Sequence, residues 1–241
     1  PESSRSSSSV TVPTCCVCRK PTPPTFPTRS PVSIIPAINR IASALRAGGG
    51  HVAFSRATFD DSEDGGWPGF YRRMVEPELA RGILVALREG HPLHALDPGL
   101  EVAPGDLVFP KCRYSAFAPG ASPLPAWLAE RDIRSVLVVG TLTNVCCEST
   151  ARDAMQHGYE TIMVADANAA RDRVAHDATL RTFLEFFGDV LTTAEVLRLH
   201  VPEAFPAFDA AAASAHWIEG RDLGDLAVVR QLVEASGAPV D

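Results

Sequence analysis

Residues 135–140 constrain the fold of this chain more than any other part of its sequence. They read Ser-Val-Leu-Val-Val-Gly, so four consecutive positions are apolar and three of these are Val. A strand with one face in water alternates apolar and polar residues, and this run contains no polar position. We therefore predict a strand that is buried on both faces, which is typical of a parallel sheet.

Helical and extended patterns alternate on both sides of this strand. The predicted helices are 34–46, 124–131, 146–157 and 172–187, and the other predicted strands are 51–55, 107–109, 161–165 and 189–191. This alternation predicts a three-layer, Rossmann-like α/β fold with a parallel sheet and helices on both faces. Because such folds place their chemistry at the carboxyl ends of the strands, it directs attention to Lys111 and to the residues after Gly140.

Composition divides the chain into three segments. Residues 1–33 contain 8 Ser, 5 Thr and 7 Pro, which is the composition of a low-complexity, disordered arm. Residues 34–200 hold the alternating pattern and form the predicted α/β domain. Residues 201–241 are predicted to form a helical C-terminal appendage, with an Ala-rich helix and a second helix near 223–235.

Charge and hydropathy exclude several classes of partner. The chain has 22 Lys and Arg against 29 Asp and Glu, a net charge of −7, whereas nucleic-acid binding needs a concentrated basic surface. No apolar run reaches the roughly 18–20 residues that span a bilayer, and the start lacks the pattern of a signal peptide. Cys15, Cys16 and Cys18 are close in sequence, but no fourth ligand of a zinc site accompanies them, so we expect no metal. The expected compartment is the reducing cytoplasm.

Two adjacent cysteines, Cys146 and Cys147, follow the apolar strand where the next helix is predicted to begin. Free N–H groups and the helix dipole at such a junction favour a thiolate and stabilise an oxyanion. Cys147 shares a helix face with Ala151 and Ala154, which predicts a core position and leaves Cys146 turned toward the pocket. By position alone, packing and nucleophilic catalysis are both open roles for Cys146.

Two ordered motifs resemble those of a known family. Residues 140–154 resemble the nucleophile motif of the isochorismatase-like cysteine hydrolases, with Gly140, Thr143 three residues later, Cys146, and then Thr150 and Asp153-Ala154 on the helix. Residues 108–117 resemble the lysine motif of the same family, K-x-R-Y-S-A-F after a strand. The resemblance covers about residues 34–199. Within the family, the motifs resemble those of N-carbamoylsarcosine amidase and ureidoacrylate hydrolase-like members.

The resemblance implies a catalytic arrangement. Cys146 attacks a carbonyl or carbamoyl carbon and forms a thioester-like intermediate that water hydrolyses, and Lys111 favours the thiolate electrostatically. A solvated surface lysine is the alternative for Lys111. The resemblance also implies a cis peptide between Thr141 and Leu142, and an oxyanion hole made by the backbone N–H groups of Leu142 and Cys146. No cofactor is implied, the partner is a small-molecule substrate, and family members commonly form homo-oligomers.

Other residues of the two motifs are candidates for substrate binding. Tyr114 and Phe117 are predicted to line the pocket and Asn144 to contact substrate, with core aromatics and a turn-forming Asn as the alternatives. Arg113 is a candidate either for binding a substrate carboxylate or for a structural ion pair. Aromatic residues that follow an acidic loop, namely Trp67, Phe70 and Tyr71, form either a lid or a packed satellite cluster.

The chain departs from the family at its first strand. The family's third catalytic residue, an Asp that acts as the base, should end a strand near residues 13–20, yet only Glu2 among acidic residues precedes Asp60. One interpretation is that residues 1–33 are an aberrant segment that replaces the native N-terminus. The other is that residues 14–18 form a substitute strand.

We therefore predict a cysteine-dependent hydrolase of a C–N bond in a small amide or carbamoyl compound, impaired by the missing Asp. The alternatives are a catalytically inactive binding or scaffold protein and an isochorismatase-type vinyl-ether hydrolase, which the presence of Cys146 disfavours. Nicotinamidase activity is disfavoured because residues 56–61 contain no histidine for that activity's Asp/His metal site.

Overall fold

The computed structural model describes residues 9–15, 31–60, 67, 69–198, 228, 231, 232 and 235. The strands are β1 (Ser9–Cys15), β2 (His51–Ala57), β3 (Leu107–Lys111), β4 (Ser135–Thr141), β5 (Glu160–Ala169) and β6 (Asp189–Leu191). The helices are α1 (Ile35–Ala47), α2 (Phe70–Met74), α3 (Pro77–Ala86), α4 (Leu124–Ala129), α5 (Glu148–Gln156), α6 (Arg173–Phe186) and α7 (Thr193–Arg198). A π-helical turn, Thr143–Cys147, precedes α5, and short 3-10 turns cover Pro31–Ile34 and Pro92–His94.

The six strands form one parallel sheet in the order β3-β2-β1-β4-β5-β6. This is the Rossmann order, in which the direction of winding reverses between β1 and β4. In open α/β sheets the carboxyl ends of the strands at that reversal border a crevice where ligands bind. The predicted parallel α/β fold is confirmed, and the reversal places the end of β4 beside this crevice.

Strand β4 is buried on both of its faces, as its apolar run predicts. Val136, Val138 and Val139 are completely buried and Leu137 is nearly so. One face packs against α4, α5 and α6 through the apolar residues Leu124, Leu128, Cys147, Ala151, Ala154, Leu180 and Phe183. On the other face, α1 packs against β1, β2 and β5 with Ile38, Ile41, Ala42 and Leu45 at helical spacing, all fully buried.

Strand β5 is longer than the 161–165 pattern predicts because polar side chains extend it. Its register against β4 shifts between Val138 and Gly140, which interrupts the regular backbone pairing. The buried Asn168 side chain bridges this irregularity, since its Nδ2 donates to Val138 O at 2.9 Å and to Val164 O at 2.7 Å. Asp166 Oδ1 accepts from both the backbone N–H and the hydroxyl of Thr193, at 2.6 and 2.8 Å. Asp166 therefore has a structural role.

Strand β1 lies in the middle of the sheet although its sequence is Ser-Val-Thr-Val-Pro-Thr-Cys. It begins earlier than the substitute strand at 14–18 considered from the sequence, and the two segments share Thr14 and Cys15. Its pairing with β4 is continuous from Ser9 to Cys15. Against β2, pairs form at Val10, Thr11 and Thr14, with none at Val12 or Pro13 between these two described strands. Proline has no N–H to donate to a ladder, which explains the interruption.

The C-terminal part of the chain forms a second compact unit, Ala194–Asp241, and the first unit ends at Thr193. Most of the predicted appendage at 201–241 lies outside the described residues, and the four residues described there are helical. The division into 1–33, 34–200 and 201–241 stays a prediction. In the described part of the chain, every helix is too short or too polar to cross a membrane.

Candidate functional site

The turn that carries Cys146 begins directly at the end of β4. Gly140 has φ +117°, a backbone conformation that residues with a Cβ rarely adopt, so this position near the end of β4 requires glycine. The Thr141–Leu142 peptide bond is cis, and this is the bond at which the resemblance implies one. Leu142 O then accepts from Val145 N at 3.1 Å and from Cys147 N at 3.2 Å, which closes the π-helical turn. The turn replaces the first part of the helix predicted at 146–157.

The two cysteines of this turn occupy different environments. Cys147 is completely buried in the main core with Ala151 and Ala154, as their helical spacing predicts. Cys146 is 6% exposed and lies outside that core cluster. The structure thus separates a packing cysteine from one at the carboxyl edge of the sheet.

Lys111 ends β3 and is 1% exposed, which excludes a solvated surface lysine. Its Nζ donates to Arg113 O and to Tyr114 O, both at 3.0 Å. Because a buried ammonium group is costly unless its protons are satisfied, these carbonyls help to fix the position of the amine. The K-x-R-Y stretch of the lysine motif therefore folds back over its own lysine.

Tyr114 connects the two motifs. Burial of its phenol raises the pKa of Tyr114, the nearby Cys146 raises the pKa further, and Lys111 and Arg171 lower it. The phenol is also hydrogen-bonded to the side chain of Tyr71. Cys146 and Lys111 therefore both act electrostatically on the Tyr114 phenol, which links the nucleophile motif to the lysine motif.

Aromatic rings from the segment that follows the acidic loop pack against Tyr114. Trp67 and Phe70 stack with their ring centroids 4.7 Å apart, and Trp67 meets Tyr114 edge-on at 4.6 Å. Tyr71 is buried and belongs to an apolar cluster with residues of β2 and α3. The guanidinium of Arg113 lies over the Trp67 ring at 5.4 Å. These residues form the packed satellite cluster that the sequence offered as one alternative, and the cluster borders Tyr114.

The other two predicted substrate-binding residues, Phe117 and Asn144, are not part of the aromatic cluster that packs against Tyr114. Phe117 is 4% exposed within the main core, and its ring packs against His157 and Tyr159 just before β5 begins. That position is at the amino end of the strands, so the structure does not bring Phe117 to Tyr114, and core packing accounts for it. Asn144 is exposed in the π-helical turn, two residues before Cys146.

The end of β1 meets the site through its backbone. Cys15 pairs with Thr141, the residue that precedes the cis peptide bond. Cys15 is therefore the β1 residue that pairs next to the start of the Cys146 turn.

Two histidine contacts were not predicted from the sequence, because each joins residues far apart in the chain. His94 Nε2 lies 2.8 Å from the hydroxyl of Thr58, just after β2, so a histidine reaches the 56–61 segment from the turn at Pro92–His94. His176 Nδ1 shares a 2.9 Å hydrogen bond with Thr143 Oγ1 in the Cys146 turn. Among the residues that the structure describes, no three His, Cys, Asp or Glu residues are grouped so as to hold a metal ion.

Comparison with known proteins places these features in a family. Residues 28–195 match the family model of the isochorismatase domain. The chain is 34% identical over 166 residues to the ureidoacrylate amidohydrolase RutB of Methylorubrum extorquens strain AM1, an alignment that covers 64% of this chain and 65% of that relative. The chain thus spans about 65% of the length of the first curated relatives that it matches.

Solved structures give the same fold. A cysteine hydrolase from Pseudomonas syringae pv. phaseolicola 1448A superposes with a TM-score of 0.67 at 28% identity, over 80% of this chain and 92% of that one. An N-carbamoylsarcosine amidase from Thermoplasma acidophilum superposes with a TM-score of 0.57 at 21% identity, over 78% of this chain and 97% of that one. The second similarity shows the fold alone.

Proposed function

Because the chain belongs to the isochorismatase-like cysteine hydrolase family, we propose that it hydrolyses the C–N bond of a small amide or carbamoyl compound with Cys146 as the nucleophile. The observation that carries this proposal is that the buried Lys111 ends β3 and the turn of Cys146 follows β4 at the carboxyl edge of one sheet, with both groups acting electrostatically on the Tyr114 phenol. Of the two adjacent cysteines, Cys147 belongs to the main apolar core and Cys146 does not, which supports Cys146 as the nucleophile.

The proposed reaction uses Cys146 as a thiolate, its proton having passed to solvent. The Sγ attacks the carbonyl carbon, and the backbone N–H groups of Leu142 and Cys146 donate to the resulting oxyanion. The C–N bond breaks, the leaving nitrogen takes a proton from water, and the acyl or carbamoyl group remains on Sγ as a thioester. Water then adds to that carbon, loses a proton to solvent and releases the acid, which regenerates the thiolate.

Lys111 contributes a fixed positive charge to this reaction. Its Nζ is held by two backbone carbonyls, so the charge favours the thiolate and the oxyanion without reorganising. Tyr114, with its pKa raised, stays a protonated hydrogen-bond donor at neutral pH. We assign to it the orientation of the substrate's polar end.

The charge around Tyr114 supports an anionic substrate. Arg171 acts electrostatically on the Tyr114 phenol, and Arg113 lies over the neighbouring Trp67. Guanidinium groups bind carboxylates through paired hydrogen bonds. The names of the curated relatives refer to ureidoacrylate, which has both a carbamoyl group and a carboxylate, so this compound is the first substrate to test.

The experiment combines turnover with active-site labelling. The full chain is assayed with ureidoacrylate, N-carbamoylsarcosine and simple aliphatic amides, and Cys146 is alkylated with iodoacetamide near neutral pH and followed by peptide mass spectrometry. We expect hydrolysis of an anionic carbamoyl compound and faster alkylation of Cys146 than of Cys112. Cys146→Ala is expected to lower kcat/KM by about a thousandfold or more, whereas Cys112→Ala, the control, leaves it unchanged.

A second candidate function is a binding protein without catalysis. The sequence feature that favours it is the absence of a carboxylate where β1 ends, since the family's base stands there. This candidate predicts that Cys146 reacts no faster than Cys112 and that no compound of the panel is hydrolysed. Micromolar binding of ureidoacrylate without turnover would then identify the function.

A further inference from the structure

We infer that His176 is a positioning residue for Cys146 and acts through Thr143. This inference deepens the proposed function, because it rests on Cys146 as the nucleophile. Thr143 opens the π-helical turn, is completely buried, and shares the 2.9 Å hydrogen bond between its Oγ1 and His176 Nδ1. A buried hydroxyl needs such a partner, so the contact ties the turn to α6.

The position of His176 is itself fixed at the start of α6. Asp172 caps this helix, its side chain accepting from Ala175 N at 2.8 Å, and its carbonyl accepts from the backbone N–H of His176 at 3.3 Å. The imidazole is half-buried, so its contact with Thr143 is partly shielded from water. A side chain on a capped first turn is a rigid support for the neighbouring segment.

Helix α6 contacts the Cys146 segment on both sides of the nucleophile. Thr143 lies three residues before Cys146 and is bound by His176. Glu148 lies two residues after it, and its Oε2 accepts from Thr179 Oγ1 at 3.2 Å. His176 and Thr179 are three residues apart and share one helix face, so the same face of α6 brackets Cys146.

The two contacts are not equivalent. Glu148 has a second anchor on its own helix, since its Oε1 accepts from Arg152 Nη2 at 2.6 Å. Thr143 is adjacent to Leu142, whose N–H is a proposed oxyanion donor, and its carbonyl accepts from Glu148 N. A shift of Thr143 therefore moves both the Leu142 donor and the turn that carries Sγ, and small misplacements of reacting groups reduce rates strongly.

The test compares substitutions that preserve or remove a hydrogen-bonding atom at the Nδ1 position of His176. Asn places a polar atom close to the position of His Nδ1, whereas Leu has no polar atom. We expect His176→Leu to lower kcat and the alkylation rate of Cys146 by roughly tenfold or more while KM changes little, and His176→Asn to recover most of both. Thr179→Val, which removes the other contact of α6, is the matched control and is expected to lower both quantities much less.

Thr143→Val supplies a second, independent route to the same loss. If His176 acts through Thr143, Thr143→Val lowers the same quantities, and the double variant with His176→Leu is no worse than either single variant. Equal rates in His176→Leu and the wild type, no recovery in His176→Asn, or additive losses in the double variant contradict the inference and leave the proposed function intact. A wild-type Cys146 that reacts no faster than Cys112 overturns the proposed function and this role together. Thermal denaturation of each variant separates loss of fold from loss of positioning.

Discussion

The strands β3, β4 and β1 end at the same edge of the sheet, but only β3 and β4 bring to that edge the residues that the two motifs predict. β3 ends in Lys111, a fully buried amine held by two carbonyls, and β4 leads into the turn that holds Cys146. β1 ends in Cys15, paired with Thr141 by its backbone. All three strands therefore reach the same edge of the sheet, and they differ in the residue that each brings to it.

The same contrast appears in the strands themselves. β4 is a run of apolar residues with almost no exposure, and its ladder to β1 is continuous. β1 contains Pro13 and pairs with β2 only on either side of it. The central place of β1 in the sheet therefore rests on its continuous backbone pairing with β4.

Among substitutions in the strands, the largest expected effect comes from removing the charge at the end of β3. Lys111→Met keeps the length of the side chain and removes the cation, so we expect kcat/KM to fall about 100- to 1,000-fold and Cys146 alkylation to slow. Steady-state kinetics and alkylation rates on the same preparation measure this. Lys111→Arg keeps the charge in a different shape and is the control. Alkylation as fast in Lys111→Met as in the wild type contradicts the proposed electrostatic role.

The next effect is a gain of function at the end of β1. Cys15→Asp introduces a carboxylate on the residue that pairs with Thr141. Because a general base at this strand end would take the proton of Cys146, we expect kcat/KM to rise about 10- to 100-fold. Thr14→Asp is the matched control, because neighbouring residues of a strand face opposite sides of the sheet. Equal activities of the two variants would mean that the end of β1 takes no part in the reaction.

A smaller effect concerns the interrupted ladder between β1 and β2. Pro13→Val restores an N–H donor in a central strand and is expected to raise the free energy of unfolding by about 1 kcal/mol, partly offset by the greater entropy of the unfolded chain. Urea denaturation measures this difference. Pro110→Val in the edge strand β3 is the comparison, and a larger gain there than at Pro13 would contradict the account of the interruption.

The smallest effect is expected beside the end of β2. Burial lowers the pKa of His94 from its usual 6.5, and the nearby Arg56 and His91 lower it further, while Glu89 opposes them. Below pH 6.5 the unfolded chain therefore takes up a proton before the folded one does. The contribution of the neutral His94 to the free energy of unfolding is therefore complete above pH 6.5. It is lost as the pH falls below 6.5 and through the lower pKa that His94 has in the folded protein.

His94→Gln removes this dependence. Denaturation curves at pH 7, 6 and 5 are expected to show a steeper decline for the wild type than for the variant. The difference should be smaller than that produced by Pro13→Val. Parallel declines of the two proteins would show that His94 does not couple protonation to folding.

The sequence predicted the parallel sheet and most of its elements because apolar runs such as residues 135–140 leave few alternatives. It also predicted that Lys111 and Cys146 lie at one edge, since both follow strands. It missed the full length of β5, which depends on hydrogen bonds from Asn168 to Val138 and Val164. Side-chain bonds of this kind leave no periodic signal in the sequence.

The details of the site were harder to predict from the sequence. The helical spacing of Cys147, Ala151 and Ala154 continues back into the π-helical turn before α5, so the pattern placed the start of the helix within that turn. The contacts of His94 with Thr58 and of His176 with Thr143 join residues 36 and 33 positions apart. The motif position of Phe117 is compatible with either a pocket-lining or a core residue. Only its contacts in the folded protein show that it is a core residue.

The edges of the sheet have a consequence for how copies of this protein meet. Edge strands with free N–H and C=O groups invite pairing with another chain. On one side, β3 carries Pro110, which offers no N–H, and on the other β6 has only three residues, Asp189–Leu191. Both borders of this sheet are poor templates for a seventh strand. We therefore expect contacts between copies of this protein to use surfaces other than these two strand edges.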